Sequence, residues 1–185
     1  NAGIIPILKE QYKNVDYNTT ITYEQILASD YDVIISNKAA WETAKADMIN
    51  KLFASGKSIL TTGNDSSSTL DIIKSYTQSS TGYTANRKVV NEITNKMEQT
   101  ITANNDSLKY VEANDKAEVW YSYTSGGVEY DAMMYMENEQ GGKWFHSQLN
   151  PSTNNLFRQI INVITRLANI NGVSEKITED GIYTY

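Results

Sequence analysis

The chain has 185 residues, a formal net charge of −6 and a sequence pI near 4.8, a length that suits one domain with a sizeable core better than two small ones. Its 16 basic residues are scattered, which argues against nucleic acid and anionic lipid as partners, and the absence of cysteine excludes disulfides and thiolate metal sites. No apolar run approaches the roughly 18–20 residues that a spanning helix needs, so membrane insertion is not expected.

In chain order, Ile4, Ile5, Leu8, Tyr12 and Val15 recur at helical spacing, and residues 3–14 are predicted as an amphipathic helix with Pro6 in its first turn. Asn18–Tyr23 is β-branched and alternating, a predicted strand, and Tyr23–Ala28 a short helix. Asp32–Ser36 is a brief continuous apolar run, the pattern of a parallel strand covered on both faces. Trp41, Ala44, Met48, Ile49, Leu52 and Phe53 form one helical stripe ended by Gly56. Ser58–Thr62 reads as a second buried strand and Thr69–Tyr76 as a helix, with Leu70, Ile73 and Tyr76 on one face. Strand, helix, strand, helix implies right-handed crossovers and a mostly parallel sheet.

Residues 78–116 are polar. Helical spacing of Val90, Ile93, Met97 and Ile101 predicts a helix over Val89–Ile101, and Leu108–Val111 a short strand. Ala117–Thr124, Val128–Glu137 and Lys143–Ser147 then alternate, separated by Ser125-Gly126-Gly127 and Gln140-Gly141-Gly142, as antiparallel hairpins do. Ser152/Thr153 caps a closing helix with Leu156, Ile160, Ile161, Val163, Ile164 and Leu167 inward. Residues 170–185 are a tail with a short strand at Ile182-Tyr183; residues 1–185 are otherwise read as a single domain.

Two segments bear on chemistry. The only histidine, His146, ends the aromatic strand Trp144-Phe145-His146, where a general base would sit. About eighty residues upstream, Gly56-Lys57-Ser58-Ile59-Leu60-Thr61-Thr62-Gly63-Asn64-Asp65-Ser66 reads as a buried strand breaking into a turn before a helix, the layout of a nucleophile elbow.

This order resembles the class I glutamine amidotransferase-like superfamily, whose members have a Gly-Lys-x-apolar-apolar-Gly-x-Cys elbow, a β-rich insertion, a Phe-His-Pro-Glu strand end and a closing helix. Gly56–Gly63 matches the elbow, with Gly63 where the cysteine belongs. Phe145-His146-Ser147-Gln148 matches the strand end, with Gln148 in place of the orienting carboxylate. Asn155-Leu156-Phe157 resembles the closing segment. The resemblance implies a flavodoxin-like three-layer α/β sandwich, mostly parallel, with an antiparallel hairpin portion in the C-terminal half. Such a sheet has its central strand before the first helix; here that strand either precedes residue 1 or is Gly3–Leu8 itself.

The departures decide the expected chemistry. Thiol attack needs a cysteine, a base and a carboxylate that holds the imidazole, and two of the three are absent. His146, Ser66 and Thr62 are therefore relic candidates, with a Ser66 or Thr62 hydroxyl paired to His146 as the alternative, a hydrolase with a replacement nucleophile. Gly63, Asn64, Asp65, Ser66, His146 and Gln148 are ligand-binding candidates, since amides at a helix N-terminus hold anions, though Asp65 and Ser66 equally suit plain N-capping. A small-anion or nucleotide sensor at that helix end is a third reading. No metal-ligand spacing exists and no cofactor is expected. The carboxylate pairs Asp30/Asp32, Glu112/Asp115 and Glu137/Glu139 read as solvated turns.

The expected role is a non-catalytic binding or structural module of a larger protein, its partner a protein, peptide, carbohydrate or neighbouring domain. The rings of Trp120, Tyr121, Tyr123, Tyr130, Tyr135 and Trp144 are the expected contact surface. Abundant Asn, Ser and Thr, with 13 Tyr against 3 Phe, lean toward an exported bacterial or cell-surface protein. Gly3–Leu8 lacks the length and basic flank of a secretory signal, and a start other than Met points to a processed product or a piece of something longer.

Overall fold

The computed structural model describes residues 5–12, 14–18, 20–37, 43–63, 70–77, 81–107, 110–149, 160 and 163–168. Helices α1 (Ile5–Gln11) and α2 (Tyr23–Leu27) precede strand β1 (Ile34–Asn37). Helix α3 (Thr43–Ala54) leads to β2 (Ile59–Thr62), and β3 (Ile73–Thr77), β4 (Thr81–Arg87), β5 (Thr100–Ser107) and β6 (Tyr110–Ala113) follow. Then come β7 (Glu118–Ser125), β8 (Val128–Glu137), β9 (Lys143–Ser147) and the described part of a last helix, α4 (Val163–Leu167).

Seven strands form one curled mixed sheet in the order β1-β2-β9-β8-β7-β4-β5, and β3 pairs with β6 in a separate ribbon. As predicted, β1 and β2 are parallel neighbours joined through α3. Strand β9, expected only in antiparallel hairpins, also adds to β2 in parallel. The expectation of a mostly parallel sheet is corrected: every pairing from β9 outward to β5 is antiparallel. The reason lies in the connections. The β7–β8 pair closes through Gly126 (φ 58°) and Gly127 (φ 79°), a two-residue turn whose left-handed dihedrals only an antiparallel hairpin uses.

Helix α3 ends as its sequence foretold. Gly56 takes φ 93°, its N–H reaches Phe53 O at 2.9 Å, and Lys57 N–H reaches Leu52 O at 3.0 Å. This paired arrangement satisfies carbonyls of the last turn and needs a residue without Cβ in the left-handed region. The turn between β8 and β9 docks on the same end, with Asn138 Nδ2 donating to Phe53 O at 2.6 Å. A Cβ on Gly56 would lie 2.6 Å from Gln140 O.

Two hydrophobic clusters occupy opposite faces of the sheet, following the alternation of each strand. Leu60, Phe145, Trp120, Tyr121 and Tyr135 pack with Ile7 and Leu8 of α1 and with Ile160, Val163, Ile164 and Leu167. Ile59, Trp144, Met134 and Met136 pack with Ile49, Leu52 and Phe53 of α3, with Ile26 of α2, and with the β3–β6 ribbon. A bulge lets Trp120 and Tyr121, consecutive in sequence, join one cluster: Val119 opposes Met134 and Tyr121 opposes Met133, leaving Trp120 as the extra residue.

Several expectations fail. Asn18–Tyr23 forms no strand in its described residues, and Gly3–Leu8 is no strand where described, because Ile5 begins α1. Thr69–Tyr76 is not a helix: residues 70–72 make a turn into β3, where cross-strand pairing with β6 overrides the i, i+3 spacing of Leu70, Ile73 and Tyr76. Val89–Ile101 holds only a 3₁₀ turn at Thr94–Lys96 before β5 begins. There Asn91 Oδ1 accepts from Ile93 N and Thr94 N at 2.8 Å each, a local turn that competes with helix. The start of the closing helix at Ser152/Thr153, Asn155-Leu156-Phe157, and the tail 170–185 with Ile182-Tyr183 lie outside the described residues.

Candidate functional site

The candidate residues gather where β2 meets β9. All four residues of β2 are buried, Ile59 facing the α3 cluster and Leu60 the α1 cluster. Alternation therefore turns Thr61 toward α3, as it does Trp144 and His146 on β9, and the register places Thr61 directly beside His146.

On that face lies a chain of side-chain hydrogen bonds. Trp144 Nε1 donates to Thr61 Oγ1 at 2.8 Å, Thr61 Oγ1 lies 2.7 Å from His146 Nδ1, and His146 Nε2 lies 2.6 Å from Gln148 Oε1. Thr61, Trp144 and His146 are 0% exposed and Gln148 is 1% exposed. Donor and acceptor inventory fixes the direction. An amide oxygen only accepts, so Nε2 carries the proton; in the tautomer protonated there alone, Nδ1 accepts from the Thr61 hydroxyl, whose oxygen takes the indole N–H. In that tautomer each of the three bonds has one donor and one acceptor. A buried polar network satisfied in this way is stable, whereas one left half-satisfied is costly.

The site thus unites His146 and Gln148, two residues picked out by sequence, with Thr61, which sequence reading passed over for its neighbour Thr62. Thr62 faces the opposite side of the sheet; its hydroxyl is buried and finds no partner among the described residues, as is also true of Ser36 on β1. Gly63 donates its N–H to Ser147 O at 2.8 Å and has φ 113°. That φ belongs to the left-handed half of backbone space, where glycine is at ease and other residues are strained. The turn residues Asn64, Asp65 and Ser66 lie outside the described residues. The helix expected from Thr69 behind that turn is absent where described, since residues 70–77 form a turn and strand β3.

Other sequence candidates resolve into structural roles. Lys74 bridges Glu112 at 3.5 Å and Asp115 at 3.0 Å, and Glu137 accepts from the Tyr135 hydroxyl at 2.5 Å. Among the described residues no group of three or more potential ligands could hold a metal ion. Asp131, unremarked in sequence, has its carboxyl pushed up chiefly by burial while accepting from Ala113 N at 2.7 Å.

The expected aromatic contact surface is corrected. Trp120, Tyr121 and Trp144 are 0% exposed, Tyr123 is 1% and Tyr135 7%, and only Tyr130 keeps intermediate exposure. Alternation turns some side chains of each strand outward, but these rings lie on covered faces, Trp120, Tyr121, Tyr123 and Tyr135 in the α1-side cluster and Trp144 in the α3-side cluster.

No family model matches the chain, and no curated protein matches it. Solved structures do. The mmIFT52 N-terminal domain aligns with TM-score 0.56 at 15% identity, over 92% of this chain and 90% of that one. A ThuA-like protein from Bacteroides uniformis gives 0.52 at 11%, covering 78% and 71%. A protein assigned as a GMP synthase subunit from Thermoplasma acidophilum gives 0.50 at 11%, covering 74% of each chain. At such identities the likeness is one of fold.

Proposed function

We propose that this chain is a non-catalytic, amidotransferase-like module that binds or assembles within a larger protein, in a secreted or cell-surface setting. The observation that carries this reading is the buried chain Trp144–Thr61–His146–Gln148, which engages both imidazole nitrogens inside the core. A general base must reach a proton on its substrate. It also needs a nucleophile, and the residue that follows β2 is Gly63, a relaxed occupant of the backbone position that an elbow strains. Fold likeness to the ThuA-like protein and to the GMP synthase subunit supports the superfamily part of the reading. Composition alone supports the exported setting.

With the rings of the hairpin block buried, a partner would meet polar strands instead. Thr84, Asn86, Thr100, Thr102 and Thr124 are exposed on β4, β5 and β7, a set of hydroxyls and amides suited to a peptide backbone, a carbohydrate or an adjoining domain.

One observation favours the rival hydrolase reading: a threonine hydroxyl does contact the imidazole, at Thr61. Its complete burial and its bond from the indole leave no approach for a carbonyl carbon. Two measurements separate the readings. Ammonia release from glutamine is expected at the buffer rate, unchanged by His146→Ala, and a hydroxyl-directed fluorophosphonate is expected to label neither Thr61, Thr62 nor Ser66. Stoichiometric labelling at any of the three overturns the module reading in favour of the hydrolase.

A further inference from the structure

A cluster of three tyrosines lies apart from this site, near the tip of the β7–β8 hairpin. Tyr110 on β6 and Tyr130 on β8 stack with ring centroids 4.3 Å apart and planes at 10°. Tyr123 flanks both, at 5.9 Å from Tyr110 and 5.7 Å from Tyr130, with tilted planes at 41° and 33°. The Tyr110 hydroxyl and Ser125 Oγ are 2.7 Å apart, which fixes the direction of the Tyr110 ring. Tyr110 and Tyr130 keep intermediate exposure, while Tyr123 is 1% exposed.

We propose that the Tyr110–Tyr130 stack is an oxidative modification site, at which a one-electron oxidant joins the two phenols into an intrachain dityrosine. Each phenol gives one electron to the oxidant and one proton to solvent, leaving a phenoxyl radical with spin density on the carbons ortho to oxygen. The two radicals form a carbon–carbon bond between ortho positions. The hydrogen on each of those carbons then moves to the phenoxyl oxygen, restoring two phenols. In sum two electrons and two protons leave, and two equivalents of oxidant are reduced.

Geometry selects this pair. Radical coupling competes with repair and with diffusion of other radicals, so it favours rings already held face to face. Tyr110–Tyr130 is the near-parallel contact of the three, and both of its rings reach solvent, where the oxidant is met. Tyr123 can pass an electron to either neighbour, but its tilt and burial disfavour coupling. The product would tie the β3–β6 ribbon covalently to the seven-stranded sheet, a link that secondary structure alone does not make.

The test uses the full chain with photogenerated ruthenium(III) as oxidant and persulfate as terminal electron acceptor. Monomer is isolated by size, digested with trypsin and mapped by fragmentation. Cleavage at Lys109, Lys116 and Lys143 separates Tyr110–Lys116 from Ala117–Lys143. The expected product is these two peptides joined through Tyr110 and Tyr130, two hydrogens lighter than their sum. It should be lost in Tyr110→Phe, in Tyr130→Phe and in urea-unfolded protein. It should persist in Tyr17→Phe and Tyr31→Phe, which remove exposed rings elsewhere (57% and 38% exposed). Mapping on the unsubstituted protein decides the matter even if a variant misfolds: a monomer without the linked peptide, or a link ending at Tyr121, Tyr123 or Tyr135, overturns the proposal.

Discussion

Around β2 and β9 the sheet is covered on both sides, and the polar side chains on its α3 face are drawn inward and bonded to one another. Across β4, β5 and β7 one face carries the α1-side core while the other presents Thr84, Asn86, Thr100, Thr102 and Thr124 to water. The same backbone ladder thus serves two economies of polarity. In the first, Thr61, His146 and Gln148 depend on protein partners, and a substitution is felt by its neighbours. In the second, water substitutes for any partner removed, so chemistry can vary at little cost to the fold.

The sharpest way to break that contrast is Trp144→Ala. The ring is wholly buried, packs at 5.3 Å against Phe53 and donates to Thr61, so its loss is expected to cost about 3–5 kcal/mol by urea titration. A cost below about 1 kcal/mol would mean that the β2–β9 region is no more tightly built than the open face. Thr61→Val comes next. It keeps the shape but leaves the indole N–H and the imidazole Nδ1 without their hydroxyl, at about 1–3 kcal/mol for each buried orphan. A double-mutant cycle with His146→Leu should show strong coupling, since once the imidazole is gone only the indole is stranded. Gly56→Ala should cost about 1–2 kcal/mol in the same titration, because an L residue at φ 93° is strained and its Cβ meets Gln140 O.

The smallest effect is expected at Asp131→Asn, where the second economy borders the first. Burial holds the Asp131 carboxyl above its usual range. A raised folded value favours the fold while the group is protonated and loses that advantage as pH rises through it, so the ionised carboxylate is a burden at neutral pH. Asparagine keeps an oxygen for Ala113 N–H without the charge. The variant should therefore melt at or above the parent near pH 7, with the difference closing below about pH 4. A gap that widens on acidification would contradict this account.

Legibility in the sequence divides along the same line. The segments β1, α3, β2 and the β7–β9 hairpins were readable because apolar runs, stripes and Gly-Gly turns report burial directly. Strands β4 and β5 were not, since Thr84, Asn86, Thr100 and Thr102 on their open face are polar, and among the residues whose burial is described Ala85 and Ile101 mark the buried one. In Thr69–Tyr76 and Val89–Ile101, apolar residues three and four apart imitated helices, and only pairing with a distant strand or a local Asn91 turn decided otherwise. At the site, His146 and Gln148 were legible. Thr61 was not, because choosing between adjacent threonines requires the register that sets Thr61 beside His146. A signal did exist: Ile59 and Thr61 share a face by alternation, as do Trp144 and His146.

The position of β2 between β1 and β9 also has a consequence in time. Thr61 meets its β9 partner 85 positions downstream, and Phe53 at the end of α3 meets Asn138 at the same separation. At synthesis rates of about 5–20 residues per second, a nascent chain waits roughly 4–17 s between making Thr61 and making His146. Throughout that interval β2 offers a bare apolar edge, a docking place for chaperones and for the same strand on a neighbouring nascent chain. Arrested products that stop before Lys143 are thereby left with their most hydrophobic strand unmatched, and aggregation from crowded polysomes should rise with any pause in the intervening stretch.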